Sequence, residues 1–395
     1  MKRYIKILTI KLLCLSLLFS GALIVGAETQ SNQAELASNA KSAILMDVNT
    51  GTVLFEKNSH VKLPPASITK VMSLILIMEA LEQGVISLTD SVTASENASK
   101  MGGSQIFLAT NEQMTVKELL TGIAVVSGND ATVAMAEHLA GTEAEFVKMM
   151  NQKAKELGLK NTNFTNSHGL PDSSHYTTAY DIAIMSRELL TRYPEITEYT
   201  KIYSDYLRQD SDRPLWLVNT NRLVKFYEGA DGLKTGYTSE AKYCLSATAK
   251  RDDLRVLAVV MGEPTSTIRN KEISEMFNYA FSKYKSEPIV RRGQVVENVF
   301  IDKGETNTAN VVAENDMHLL LKKSENSDDY IKETYLPDKI IAPINQNEPI
   351  GYMTINKGNQ EIARVSLVLE QDVQRAGFIQ LLARTTEYWF GANID

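Results

Sequence analysis

Ser67-Ile68-Thr69-Lys70 is the first stretch of this 395-residue chain whose residue types and spacing could do chemistry. A hydroxyl and an amine three positions apart lie on one face of a helix, close enough to touch. Serine is a poor nucleophile at neutral pH unless a base takes its proton, and a lysine is such a base only after losing its own. Downstream, Ile68, Val71, Met72, Leu74, Ile75, Leu76, Ile77, Met78 and Leu81 leave hardly any polar face before Gly84, which predicts a buried central helix over about 67–83. The apolar surroundings and the positive end of that helix both disfavour an ammonium, so Lys70 is a plausible base for Ser67. On its own Ser-x-x-Lys carries little, because a helix-capping serine followed by a solvated lysine looks the same.

Two further triplets change its weight. Ser127-Gly128-Asn129 follows the apolar run 123–126 at the start of another predicted helix, where an asparagine can orient a substrate amide and a second hydroxyl can relay protons. Lys234-Thr235-Gly236 falls on a predicted strand, and Gly236 has no side chain to obstruct an extended substrate lying alongside. Each triplet is weak alone, but the set in this order is specific. Other chemistries lose ground. The five histidines (His60, His138, His168, His175 and His318) form no His-Glu-x-x-His pair, and the chain has no Gly-x-Ser-x-Gly elbow and no glycine-rich nucleotide loop. His168, in Asn166-Ser167-His168-Gly169-Leu170-Pro171, reads as a loop-shaping residue. Of two cysteines, Cys14 lies in an N-terminal leader and Cys244 is left alone, which excludes an internal disulfide and a cysteine-based zinc site. No cofactor is called for.

The elements that must hold these motifs can be read from composition and periodicity. Lys2, Arg3, Lys6 and Lys11 precede an uncharged run over 12–25 that ends at Val25-Gly26-Ala27, the pattern of a signal peptide over 1–27. This run of 14 residues falls short of the ~20 needed to cross a bilayer, and Cys14 sits mid-run after the bulky Leu13, which argues against a lipoprotein. The body is expected to be exported, either secreted or held at the outer face of the cytoplasmic membrane. Loss of the four basic leader residues moves the formal net charge from −7 to −11, which disfavours a nucleic-acid partner.

Segments 43–48 and 52–56 flank Asn49-Thr50-Gly51 as a hairpin, Pro64-Pro65 interrupts regular structure, and 178–190 is amphipathic. Strands are predicted over 233–238, 243–249 and 254–261, followed by a helix over about 268–284. The result is an α/β (α+β) catalytic domain over about 30–285, an antiparallel sheet flanked by helices. Pro288 and Gly293 mark its end. Short alternating runs at 295–301, 309–313, 319–322, 340–344, 351–355 and 362–369 predict a small all-β domain over 286–371. The tail, 372–395, carries Phe378, Leu381, Leu382 and Trp389 against Arg375 and Arg384, an amphipathic helix ending in Tyr388-Trp389-Phe390. Such a face suits a membrane interface or the neighbouring β-domain equally well.

With its three motifs in order, the chain resembles the penicillin-binding proteins and serine β-lactamases. It is most similar to the low-molecular-mass D-alanyl-D-alanine carboxypeptidases, serine peptidases of the Ser-x-x-Lys type. The similarity runs through Pro64–Lys70, Ser127–Asp130, Asn166–Asp172 and Asp231–Thr238, and extends to the β-rich domain and the tail. The resemblance implies a β-lactamase/transpeptidase-like fold. It also implies that Ser67 attacks the carbonyl between two D-alanines at the end of a peptidoglycan stem peptide while Lys70 takes its proton. Ser127 and Lys234 would pass a proton to the departing D-alanine, Asn129 would hold the donor peptide, and Lys234 and Thr235 would bind the terminal carboxylate. Backbone N–H groups of Ser67 and Tyr237 would form the oxyanion hole, and Arg269 is a further candidate for orienting the carboxylate. β-Lactam antibiotics are implied as covalent inhibitors, and the family habit of a C-terminal anchor favours membrane attachment through the tail. A DD-endopeptidase or a β-lactamase on the same scaffold is the nearest alternative, though the Glu-x-x-Leu-Asn motif of class A lactamases is absent. A penicillin-binding sensor that acylates without turning over is the alternative outside catalysis.

Overall fold

The computed structural model describes residues 36–390, with side chains up to 386. The expected leader, 1–27, lies outside the described residues. Five antiparallel strands form the central sheet: β1 (Ser42–Asp47), β2 (Val53–Lys57), β7 (Ala230–Thr238), β8 (Lys242–Arg251) and β9 (Leu254–Glu263), in the spatial order β2-β1-β9-β8-β7. Two short hairpins intervene, β3 (Ser91–Thr93) with β4 (Gln113–Thr115) and β5 (Ser204–Leu207) with β6 (Leu215–Val218). Strand β1 is buried along its whole length and β9 nearly so, as expected of strands covered on both faces. The coverings are helices, and β7 is left at an edge of the sheet.

The central helix α1 (Lys70–Glu82) is buried from Lys70 to Met78 because almost every side chain is apolar. It starts three residues later than the sequence suggests. Pro64-Pro65 and a left-handed Ala66 (φ 49°) force the chain through a tight 3-10 turn, Ala66–Thr69, so Ser67 sits in that turn and Lys70 opens the α-helix proper. Helix α2 (Val116–Val126) begins at a capping box made by Thr115 and Glu118 and stops at Ser127; α3 (Asn129–Ala140) follows at once. Thr142 caps α4 (Glu143–Glu156), Thr178 caps α5 (Ala179–Arg192), and Thr265 caps α6 (Ser266–Lys283).

Beyond α6 the chain passes directly into β10 (Tyr284–Val290), which pairs with β13 (Met317–Lys322). A six-stranded sheet completes the C-terminal part, ordered β14-β16-β17-β12-β11-β15, from β11 (Val295–Asp302), β12 (Thr308–Ala313), β14 (Tyr330–Tyr335), β15 (Ile340–Ile341), β16 (Gly351–Lys357) and β17 (Gln360–Leu369). Two of these strands escape sequence reading for identifiable reasons. Pro288, taken as a boundary, lies inside β10, where a two-stranded ladder tolerates its missing N–H. Strand β14 is a polar edge strand with no buried residue and therefore no alternation to read.

The tail helix, α7 (Phe378–Phe390), is shorter than expected. Residues 372–376 instead run extended, with Val373 bridged to Ile344 and Arg375 to Gly304, and Gly377 separates them from the helix. Arg375 is therefore not on the helical wheel. Arg384 does lie on α7 and donates to the carbonyls of Gly304 and Glu305, while Phe378, Ile379 and Leu382 remain exposed.

Candidate active site

Lys70 is completely buried at the start of α1, and its ammonium form is strongly disfavoured, first by that burial and then by the charge of Lys234; Asp130 opposes both. Its Nζ reaches three acceptors: Ser67 Oγ at 3.1 Å, Asn129 Oδ1 at 2.6 Å and the backbone carbonyl of His168 at 2.8 Å. A neutral amine has two N–H groups and one lone pair. Asn129 and His168 offer only acceptors, so they take the two N–H groups and leave the lone pair facing the hydroxyl of Ser67. This is the geometry a general base needs.

Ser127 ends α2 in a left-handed conformation (φ 67°, ψ 33°), unusual for a residue with a side chain, and its buried Oγ has no hydrogen-bond partner among the described residues. Asn129 Oδ1 holds Lys70 and its Nδ2 donates to the carbonyl of Gly102 at 2.7 Å, so each polar end has one protein partner and keeps one lone pair and one N–H in reserve. Its neighbour Asp130, buried and given no role in the sequence reading beyond ending the run Ser127–Asp130, accepts from the backbone N–H groups of Ile106, Leu108 and Ala131 and thereby shapes the 104–108 loop beside the motif. An acidic residue in the first turn of α3 was the available signal.

Lys234 is also buried, and burial together with the nearby Arg269 lowers it to about 7. Its Nζ donates to the carbonyl of Thr235 at 3.1 Å. Thr235 Oγ1 donates to Thr220 Oγ1 at 2.7 Å. Gly236 is also needed for packing: a Cβ there would stand 2.9 Å from the carbonyl oxygen of Pro65 and 3.2 Å from Ala66 Cβ. Its bareness lets β7 abut the turn that carries Ser67. The edge position of β7 leaves its outer backbone groups without a neighbouring strand. Tyr237 is exposed and its ring lies 4.4 Å from that of Tyr243. Arg269 is buried on α6 with its guanidinium hydrogen-bonded to Asn270, and it makes no hydrogen bond to the three motifs.

The structure thus brings Ser67, Lys70 and Asn129 into direct contact, sets Lys234 within electrostatic reach of Lys70, and leaves Arg269 bonded elsewhere. It adds a strap that sequence reading missed. Asn219-Thr220-Asn221 joins the second and third motifs: Thr220 N donates to the carbonyl of Val125, Asn221 Nδ2 to that of Gly232, and Thr220 Oγ1 accepts from Thr235. The loop 166–171, already marked by its sequence, is the other wall, and what it contributes is a backbone carbonyl that residue type cannot advertise.

Such a site performs acyl transfer through a serine nucleophile, and comparison with known proteins agrees. A family described as D-alanyl-D-alanine carboxypeptidase matches residues 27–265, and one described as the C-terminal domain of penicillin-binding protein 5 matches residues 284–375. The D-alanyl-D-alanine carboxypeptidase DacF of Bacillus subtilis is 50% identical over 355 residues, covering 90% of this chain and 91% of that protein. The crystal structure of penicillin-binding protein 5 from Haemophilus influenzae superposes with a TM-score of 0.68 at 33% identity, covering 85% of this chain and 98% of the other. Penicillin-binding protein D2 of Listeria monocytogenes, in its ampicillin-bound form, is 30% identical with a TM-score of 0.56, covering 62% and 98%. The fold and site are those of the penicillin-binding serine hydrolases. Within that class the chain belongs to the D-alanyl-D-alanine carboxypeptidase family, and its reaction is cleavage of the terminal D-Ala-D-Ala bond.

Proposed function

We propose that the enzyme trims peptidoglycan stem pentapeptides, with Ser67 as nucleophile and Lys70 as its base. The observation that carries this assignment is the trio of contacts at Lys70 Nζ, which points the lone pair at Ser67 Oγ. A stem peptide pairs along the free edge of β7. Ser67 Oγ adds to the carbonyl of the penultimate D-alanine and its proton moves to Lys70. N–H groups of Ser67 and Tyr237 stabilise the oxyanion, each worth about 2.7–4 kcal/mol in a protease precedent. The unpartnered hydroxyl of Ser127 and the amine of Lys234 pass a proton to the departing D-alanine, and Lys234 and Thr235 hold its carboxylate. Water then releases the shortened stem.

A penicillin, whose strained amide mimics the scissile bond, acylates the same serine. The ampicillin-bound form of the Listeria relative supports this reading. The test is to incubate the enzyme and its Ser67→Ala variant with a D-Ala-D-Ala peptide and with labelled penicillin. Release of D-alanine and labelling should both vanish in the variant; a label surviving at another position would defeat the assignment.

The domain plan proposed is a leader over 1–27, a catalytic domain over 30–285, a β-domain over 286–371 and a tail over 372–395. Export follows from the leader. Among the described residues no helix is long and apolar enough to cross a membrane. The exposed Phe378, Ile379 and Leu382 on α7 support peripheral attachment to the membrane surface. Co-flotation of the mature enzyme with vesicles, lost when these three residues become serine, is the expected result.

A further inference from the structure

The reading of Lys70 as base leaves open what fixes the carbonyl of His168, one of the two acceptors that aim its lone pair. That carbonyl belongs to the loop 166–171, which touches Lys70 with backbone alone. Its own anchors are side chains. Glu143, the first residue of α4 and partly buried, accepts through a single oxygen, Oε1, from Ser167 N at 3.0 Å and Ser167 Oγ at 2.7 Å, with His168 Nε2 at 3.4 Å. From the opposite side Ser73 Oγ on α1 donates to the Ser167 carbonyl at 2.6 Å.

The imidazole of His168 fits the same scheme. Its Nδ1 accepts from Leu170 N at 3.1 Å, so the proton of the neutral ring is on Nε2, the atom facing Glu143. Asn166 Oδ1 accepts from Gly169 N at 2.6 Å and closes the turn. Gly169 (φ 90°) has no room for a side chain, since a Cβ would fall 1.9 Å from the carbonyl oxygen of Ala66, next to the nucleophile. The loop is therefore wedged against the Ser67 turn on one side and tied to α4 on the other.

We infer that Glu143 is a positioning residue for the general base: by clamping Ser167 and His168 it sets the carbonyl that orients Lys70 toward Ser67. Glu143 touches neither the nucleophile nor the base, and acts only through the loop. Placement errors of about 1 Å at a reacting group cost on the order of 10²-fold in rate.

The inference rests on Ser67 and Lys70 having the roles proposed above, and its test keeps the two separable. In the full chain, the limiting rate of acylation by a fluorescent penicillin and its non-covalent affinity are measured from pH 6 to 10 for the parent, Glu143→Ala and Glu143→Gln, together with thermal melting. Glu143→Ala should lower the acylation rate on the order of 10²-fold while affinity holds. The deficit should persist at pH 10, because deprotonating Lys70 does not realign it. Glu143→Gln, which keeps an acceptor oxygen for Ser167, should recover most of the loss. An unimpaired Glu143→Ala, a deficit that disappears at high pH, or equal loss of rate, affinity and melting temperature in both variants would each overturn the inference. A parent that is not labelled at Ser67 would instead overturn the assignment of the nucleophile.

Discussion

The two halves of the molecule treat polar groups in opposite ways. Between the first strand and the end of α6, the fold buries Lys70, Lys234, Arg269, His168, His175, Asp47, Asp130, Asp181, Glu263 and Glu272. From β10 onward the buried polar residues among those described are only Ser286 and Thr354, and every ion pair keeps at least one well-exposed partner. An unpaired polar group in an apolar interior costs several kcal/mol, and a charged one more. A fold retains such groups where their altered chemistry is used. The C-terminal half, by contrast, is held by a plain apolar core of residues such as Val311, Leu319, Met353, Val365 and Leu367. Buried ionisable groups are thus separated from the C-terminal part, while an apolar core supports both parts.

That separation can be broken most severely at Lys70. Lys70→Arg replaces the neutral amine by a guanidinium that cannot lose a proton near neutrality, so acylation of Ser67 should fall by about 10²–10⁴-fold and should not recover as the pH is raised to 10. Recovery at high pH would show that the base lies elsewhere.

Lys234 should give a smaller, two-sided effect. Lowered to about 7, it loses the cation proposed to bind the substrate carboxylate as pH rises past that point, so KM for a D-Ala-D-Ala peptide should climb above about pH 7. Between about 7 and the ordinary lysine value of 10.5 the unfolded chain carries more proton on this residue than the folded one, so stability attributable to it increases with pH across that window. Lys234→Met should accordingly raise the melting temperature more at pH 6 than at pH 9 while raising KM. A flat difference in melting temperature would contradict the shift.

The smallest catalytic effect is expected in the β-rich half. Leu367→Ala removes a fully buried side chain and should cost about 2–5 kcal/mol of stability, yet leave the acylation rate of the folded enzyme at the parent value. A slowed acylation would mean that the two halves are coupled more tightly than their cores suggest.

The motifs were legible because each is local: Ser67 and Lys70 are brought together by one turn, and Lys234, Thr235 and Gly236 by one strand. Contacts that join motifs were not. Lys70 meets the carbonyl of His168 98 positions away, and a backbone oxygen has no signature in residue type. Thr220 reaches Thr235 because a strap folds back between two loops, and its sequence, Asn-Thr-Asn, reads as an ordinary turn. The bonds of Asn129 to Lys70 and to the carbonyl of Gly102 were hidden as well, since the residue type of an amide does not say which protein groups it meets. The buried pair Glu263 and Glu272 was equally silent, although burial and the neighbouring carboxylate push Glu263 up to about 9. Composition fixed the all-β character of the second half, but not its polar edge strand or the shortened tail helix.

The left-handed turn at Ser127 gives a way to read other chains of this shape. Glycine would adopt that backbone more comfortably, and would also remove a buried hydroxyl with no bonding partner among the described residues. On folding grounds alone the serine is the poorer choice at this position. If Ser127 relays the proton as proposed, a chain carrying glycine there should be sturdier and idle, and one keeping serine should still turn over.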